Sequence, residues 1–313
     1  MSAARVATRS VSSSTDRVRL AVESAALVVL LAATWVIAGF ALQGAGVGVV
    51  SAGRTLFAAL GLLAVVALTR SSTTRSAPRY TAGQLAVLAV TGVAGYTMLS
   101  TLAIALAGPT IPSLILALSP VVVLLLESAL SRARVHPLVL AATLVAVIGA
   151  VLYVAPRFGS GSGAGVAGGT LAAVGAMLSV SVYGLFFAHV NRGRSGPIAP
   201  RILPVFALGS VPLLVWAVVE VSLGGIIEPF SIALLALLGL GIYVPAYLVQ
   251  HRIILEAGPS YAALLGLAVP PLVGVASAAL GLGALPAPVQ IIGIALTLVG
   301  MLVVIRMKLR RSP

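Results

Sequence analysis

The chain contains no cysteine, which excludes disulfides, thiolate metal sites and cysteine nucleophiles at once. Charge is nearly as scarce, at 8% of residues against about 25% in an ordinary soluble domain. Only six residues are acidic, Asp16, Glu23, Glu127, Glu220, Glu228 and Glu256, and no two are placed for joint acid–base work. The three histidines, His136, His189 and His251, lack a paired metal-ligand spacing such as H-E-x-x-H. No metal, no cofactor and no enzymatic activity is expected. Aromatic residues amount to 5%, so their positions carry information.

Apolar residues are what the chain has in excess. Of 313 residues 60% are hydrophobic, mean hydropathy is +1.18, and charge-free blocks longer than a buried soluble helix needs recur throughout. The lipid bilayer is therefore the expected solvent. The run from Ser24 to about Gln43 is longer than a signal-peptide core and lacks an A-x-A cleavage site, so it reads as a retained first span. Dividing the rest at Gly, Pro and Arg gives further spans at 50–69, 82–106, 110–131, 137–155, 166–190, 202–222, 231–251, 260–281 and 287–305. Each is close to the roughly 20 residues a bilayer core requires.

The net charge of +13 does not point to nucleic acid. The basic residues sit in short tracts between apolar runs with no aromatic interleaving, so nucleic acid is not an expected partner. With alternate loops assigned to opposite sides, one side collects the tracts at 5–19, 70–79, 132–134, 192–201, Arg252 and 306–311, leaving only Arg54 and Arg157 outside them. Basic loops stay cytoplasmic, which predicts a multi-pass protein of the cell (plasma) membrane with both termini cytoplasmic and an even number of spans.

A shift of 150 residues aligns the chain with itself. Ala107-Gly108-Pro109-Thr110 falls on Ala257-Gly258-Pro259-Ser260, and in the same register Leu114 meets Leu264, Pro120 meets Pro270 and Val123 meets Val273. With one more residue inserted, Pro137 meets Pro288 and Gly149 meets Gly300. The expected fold is an all-α integral membrane protein of ten transmembrane helices in two five-helix repeats. Residues 1–22 read as a disordered cytoplasmic tail, 23–157 as the first repeat, 158–306 as the second and 307–313 as a basic cytoplasmic tail. Five spans per copy is odd, so the second copy must be inverted relative to the first.

These features resemble the drug/metabolite transporter superfamily, specifically its ten-helix EamA-type members, over roughly residues 24–306. The resemblance rests on Trp35 in an Ala-rich first span, Arg54-Thr55-Leu56-Phe57 opening the second, and a Gly-rich third span running into Ala107-Gly108-Pro109. Pro120, Gly149, Pro270 and Gly300 complete it. Family members often carry a Gly-Glu pair about 13 residues after the proline. Here those positions are Ala133 and Gly283, and Glu127 lies too early, so no subfamily or substrate carries over. The resemblance implies a secondary transporter exporting or exchanging small metabolites such as amino acids by alternating access. The competing readings are a membrane-embedded enzyme and a non-transporting scaffold or sensor.

Candidate site residues follow from depth. Trp35, Tyr96, Ser100, Ser119, Ser179, Tyr183, Tyr243 and Tyr247 sit mid-span rather than in the interfacial belts that usually claim Trp and Tyr, and suit a solute bound through ring faces and hydroxyls. Pro120 and Pro270, near the estimated midplane, are expected to kink their spans and free backbone carbonyls. Arg54, in the outer third of the second span, is a candidate for a solute carboxylate, and Glu127 is a charged candidate near the cytoplasmic boundary, each with a structural alternative as an anchor or surface pair. His189, Asn191, Gln250 and His251 are expected to cluster as a cytoplasmic gate, and a histidine there titrates near neutral pH, which makes a coupling proton a candidate partner beside the small-molecule solute and the lipid. Glu220 and Glu228 read as solvated. On this topology, single cysteines replacing Ser160 and Ser195 should label from outside and inside respectively; labelling from one common side would overturn the span count.

Overall fold

Ala-, Leu- and Val-rich stretches with charge withheld can satisfy their backbones in lipid only as helices or closed barrels, and this chain is helical. A computed structural model describes residues 14–69, 80–131, 137–158, 163–194 and 196–309. Among these the sole strand-like feature is an isolated antiparallel bridge, Ala45 with Ile227. The basic tracts at 1–13, 70–79, 132–136 and 310–313 lie outside the described residues, as do Ser160 and Ser195.

The first half comprises α1 (Ser14–Ala41), α2 (Val47–Thr69), and α3 (Ala82–Ala89) continuing through a π-helical segment, Val90–Ala94, into α4 (Gly95–Ala107). It ends with α5 (Thr110–Leu116), α6 (Ser119–Ser131) and α7 (Pro137–Phe158). The second half has α8 (Gly163–Val190), α9 (Ala199–Ser222), and α10 (Pro229–Ala236) running through a π-helical Leu237–Tyr243 into α11 (Val244–Glu256). Then come α12 (Pro259–Leu265), a 3-10 turn Gly266–Ala268, α13 (Val269–Ala279) and α14 (Pro288–Leu309).

Local chemistry sets the boundaries. Thr81 and Gln84 form a capping box that opens α3, the Thr81 hydroxyl accepting from the Gln84 N–H at 3.2 Å while the Gln84 side chain accepts from the Thr81 N–H at 3.1 Å. The chain reverses at Gly108 (φ 72°) and Gly258 (φ 93°), a left-handed conformation open to glycine at little cost, and the proline that follows each cannot extend the preceding helix.

Several expectations change. α1 begins at Ser14, inside the expected tail 1–22, and Arg19 and Glu23 on it pair with Glu256 and Arg252 of the other half of the molecule. α14 likewise continues to Leu309, into the expected tail 307–313. Pro120 and Pro270 do not kink continuous helices. They occupy the second positions of α6 and α13, where the missing N–H has no intrahelical acceptor to lose, and the helix breaks just before each. Among the described residues seven helical stretches are long and apolar enough to cross a membrane, whereas Thr110–Leu126, Pro137–Tyr153 and Pro288–Gly300 are shorter apolar runs.

The outer surface is apolar, unlike that of a soluble protein, and the largely apolar interior also holds polar groups. Leu171, Val218, Phe230 and Val275 are each at least 65% exposed, while Arg54, Thr97, Ser100, Thr101, Asn191, Arg201 and His251 are buried. An apolar periphery around a partly polar interior is the arrangement a bilayer selects. Contacts between helices depend on small residues. A Cβ at Gly149 would lie 2.5 Å from the Gly293 carbonyl oxygen, one at Gly293 2.6 Å from the Gly149 oxygen, and one at Gly300 2.5 Å from the Ala142 oxygen. α7 and α14 therefore meet backbone to backbone, and Thr297 Oγ1 donates to Gly293 O at 2.9 Å within its own helix and to Ala146 O at 3.2 Å across the interface.

The two halves are tied at both ends. At one, Arg252 Nη1 meets Glu23 Oε1 at 2.7 Å, Arg19 Nη2 meets Glu256 Oε2 at 3.2 Å, and the hydroxyls of Ser24 and Tyr261 lie 3.2 Å apart. At the other, the Glu228 N–H donates to Gly44 O at 2.9 Å and Ser231 Oγ to Ala41 O at 3.2 Å. Glu220 is not merely solvated, since its carboxylate accepts from the Val49 N–H at 2.8 Å, where the α2 N-terminus favours an anion; Glu228 is exposed as expected.

Replacing Gly149 by Val should lower the thermal unfolding midpoint in detergent, with overpacking costing about 1–3 kcal/mol. Gly83→Ala, where a Cβ meets nothing within 4 Å, should be neutral. Equal midpoints for the two variants would contradict the backbone contact of α7 and α14.

Candidate functional site

Helical spacing of four residues places Tyr243, Tyr247 and His251 on one face of α11 and the π-helical turn before it. The Tyr243 and Tyr247 rings stack at 5.0 Å between centroids and 24° between planes. Tyr247 is followed by His251 at 6.0 Å. Phe206 of α9 packs on Tyr247 at 4.7 Å, and Phe187 of α8 meets His251 edge-on at 4.6 Å. Tyr183, one turn before Phe187, completes the column through a hydrogen bond between its hydroxyl and His251 Nε2. His251 Nδ1 lies 2.6 Å from the Tyr247 carbonyl oxygen. A carbonyl only accepts, so Nδ1 carries the proton, and in the neutral ring Nε2 accepts from the Tyr183 hydroxyl. His251 is thereby fixed in one tautomer by its own helix and in one orientation by its neighbour.

Glycine makes room for this column. A Cβ at Gly92 would lie 2.3 Å from the Tyr183 ring, so the ring rests directly on the π-helical turn of the third span. The irregular carbonyls there still find donors: Ser179 Oγ, one turn before Tyr183, donates to Thr91 O at 2.8 Å. In the second π-helical segment, Gly239 likewise receives Phe57, with a Cβ there 2.3 Å from Phe57 Cβ. π-helical turns often occur at functional sites.

Arg54 stands at the other end of the column. It is seven residues into α2, about 10 Å from that helix end at 1.5 Å per residue, and only 2% exposed. Its Nη2 donates to Ser100 Oγ at 2.7 Å and to Thr97 O at 3.4 Å, its guanidinium carbon lies 5.6 Å from the Tyr243 ring centre, and its Nε is buried without a partner. The ion pairs among the described residues join Arg19 and Arg252 to Glu23 and Glu256; none reaches Arg54. A cation held deep in the bundle by a hydroxyl, a carbonyl and a ring face keeps unspent capacity to bind an anion.

The structure thus brings together Arg54, Ser100, Tyr243, Tyr247, His251 and Tyr183. Trp35, buried on α1, belongs to the same apolar cluster as Tyr183, Tyr243, Phe187 and Phe206. Tyr96 is half-buried one turn before Ser100 on α4. Ser119 and Pro120 lie at the α5–α6 break and Pro270 at the start of α13, outside the aromatic column. The expected cluster of His189, Asn191, Gln250 and His251 is not formed: His189 is exposed and Gln250 half-buried, while Asn191 Oδ1 accepts from the Tyr80 hydroxyl at 3.2 Å. His251 faces α8 and pairs with Tyr183 instead, because its helix position puts it on the Tyr243 face. Glu127 is in α6, but its side chain lies outside the described residues. Sequence reasoning missed Phe187, Phe206 and Arg201. The four-residue spacing of Tyr183 and Phe187 was a legible signal for the first, but nothing local distinguishes Phe206 from packing. No group of three or more potential metal-binding side chains occurs among the described residues.

A multi-pass helical bundle with an apolar outer surface and a buried cationic and aromatic interior is an integral membrane protein. Residues 22–155 match the EamA-like transporter family, within the drug/metabolite transporter superfamily, as the motifs implied, and that family consists of membrane transporters. Comparison with curated proteins gives no match. Among solved structures, one crystal structure of a protein is 20% identical, with a TM-score of 0.65, and the alignment covers 95% of this chain and 100% of the other. That likeness establishes a shared fold.

Combining Tyr183→Phe with His251→Gln in a double-mutant cycle of thermal unfolding should give a coupling of about 1 kcal/mol, the scale of one buried hydrogen bond. Strictly additive effects would mean that the two side chains do not pair.

Proposed function

We propose that this protein is a secondary transporter that moves a small carboxylate-bearing metabolite, such as an amino acid, across the plasma membrane by alternating access, with both termini cytoplasmic. The moving parts are two inverted five-helix halves, 23–157 and 158–306, each counting its broken fourth span as one crossing. Support for the repeat comes from irregularities that recur in register. The π-helical turns fall at Val90–Ala94 and Leu237–Tyr243, the positive-φ reversals at Gly108 and Gly258, and the breaks before Pro120 and Pro270 at 117–118 and 266–268. The fifth helix of each half opens on a proline, Pro137 or Pro288. An odd number of crossings per half makes their orientations opposite, so exchanging the two conformations opens a shared site to one side and then the other.

The observation that carries the reading is the buried Arg54 with an unsatisfied Nε and no acidic partner among the described residues. A cation in a membrane span is costly and marks a pathway when nothing in the protein neutralises it. A solute carboxylate supplies the missing charge, while Tyr243, Tyr247, Tyr96 and Trp35 offer ring faces and hydroxyls to the rest of the molecule. Pro120, Pro270 and the adjoining breaks serve as hinges. His251, held by Tyr183 and by the Tyr247 carbonyl, closes the far end of the site. The ties at the two ends, Arg252–Glu23 and Arg19–Glu256 at one and Gly44–Glu228 at the other, cross between halves and must part in turn.

The test is transport in proteoliposomes with a panel of amino acids and their uncharged amides and esters. The wild type is expected to move carboxylate-bearing members, and Arg54→Gln to lose them by about tenfold or more, the equivalent of one charge-assisted hydrogen bond at roughly 1.4 kcal/mol per decade. Tyr183→Ala and Trp35→Ala should impair transport more than folding. An Arg54→Gln variant that is folded and transports carboxylates at the wild-type rate would sink the assignment of substrate class.

A further inference from the structure

The corner where α8 passes into α9 holds a buried arginine, Arg201, beside a half-buried one, Arg194. Arg201, in the first turn of α9, is 1% exposed. Its Nη2 donates to the carbonyls of Arg194 and Gly196 at 3.0 and 3.1 Å, which folds the connecting loop back over the helix start. Nε and Nη1 of Arg201 and Nη1 of Arg194 are buried with no partner. The Arg194 guanidinium carbon lies 5.9 Å from the centre of the Tyr80 ring. Burial raises the pKa of the Tyr80 phenol, opposed by its hydrogen bond to Asn191 and by the two guanidinium charges; the phenol stays protonated and donates to Asn191.

Among the described side chains nothing acidic answers these charges. Glu23 and Glu256 are committed to Arg19 and Arg252. Glu220 and Glu228 lie at the opposite end of the bundle, the former capping α2. Ile198 offers α9 no side-chain cap, so the positive end of a 24-residue helix adds to the field of the arginines. Two guanidiniums converging on a helix N-terminus match the geometry of a phosphate group. The corner sits at a helix boundary, the depth of lipid headgroups, and Arg192 beside it is exposed, which gives an anion a way in from the loop face. Basic pockets between transmembrane helices on the cytoplasmic side are suited to anionic headgroups.

We infer that Arg194, Arg201 and the α9 N-terminus form a binding site for a phosphate-bearing anion, either the headgroup of an anionic phospholipid or inorganic phosphate, separate from the transport site. Because occupancy is read without transport, this inference stands or falls independently of the proposed function.

The full chain in detergent would be examined by native mass spectrometry after addition of phosphatidylglycerol or phosphatidylcholine, and by thermal unfolding with inorganic phosphate or chloride at matched ionic strength. The wild type should retain phosphatidylglycerol over phosphatidylcholine, and Arg194→Gln should cut the retained fraction roughly threefold or more, as expected for loss of a charge-assisted contact. Arg201→Gln should do the same; because it also removes the contacts to the Arg194 and Gly196 carbonyls that hold the loop, Arg194→Gln decides. Stabilisation by inorganic phosphate that is lost in Arg194→Gln, without preference between the lipids, would support the site and name free phosphate as its ligand. Lipid retention and phosphate response both equal in wild type and Arg194→Gln would overturn it.

Discussion

A polar group left unpaired in hydrocarbon costs several kcal/mol, and that constraint accounts for where this bundle departs from regular helix. The π-helical turn at Val90–Ala94 is matched by the Ser179 hydroxyl on Thr91 O. Thr97 O, in the next helix, accepts from Thr101 Oγ1 at 2.7 Å and from Arg54. His251 spends one ring nitrogen on its own helix and the other on Tyr183. Partners of this kind make irregular backbone affordable at membrane depth, and irregular backbone is what lets a helix bend without unfolding.

Small residues supply the complementary half of the design. α7 and α14 meet through Gly149, Gly293 and Gly300, and the aromatic column is seated on Gly92. Such contacts have few interdigitating side chains to disengage, so helices can slide or tilt at modest cost. The ion pairs between the halves are instead gathered at one end of the bundle, where they are exposed and individually weak. Away from that end the halves share extensive interfaces, α2 with α9, α4 with α8 and α7 with α14, in which small residues keep the backbones close.

The polar interior is unequally shared. The first half contributes Arg54 and Ser100, a fixed cation and its support; the second contributes the column of Tyr183, Tyr243, Tyr247 and His251. A solute bound between them would bridge the halves, so that its charge and its apolar body are read by different moving parts. Under the proposed mechanism, binding and the exchange of conformations would be coupled through the same contacts.

Helical membrane architecture was legible in the sequence because it follows from length and hydropathy, quantities that do not depend on partners. The two chain reversals were equally legible, since Gly108-Pro109 and Gly258-Pro259 dictate them by backbone sterics alone. Arg54 announced itself because a charge in an apolar run is conspicuous wherever it points. Tertiary structure alone decided which faces meet. Spacing put Tyr243, Tyr247 and His251 on one line of a helix, but only packing against α8 and α9 set His251 on Tyr183 rather than beside His189, gave Glu220 to the start of α2, and turned Arg201 inward. Side-chain partners 68 to 171 residues apart are chosen by helix azimuth and crossing angle, and a single chain of symbols carries neither.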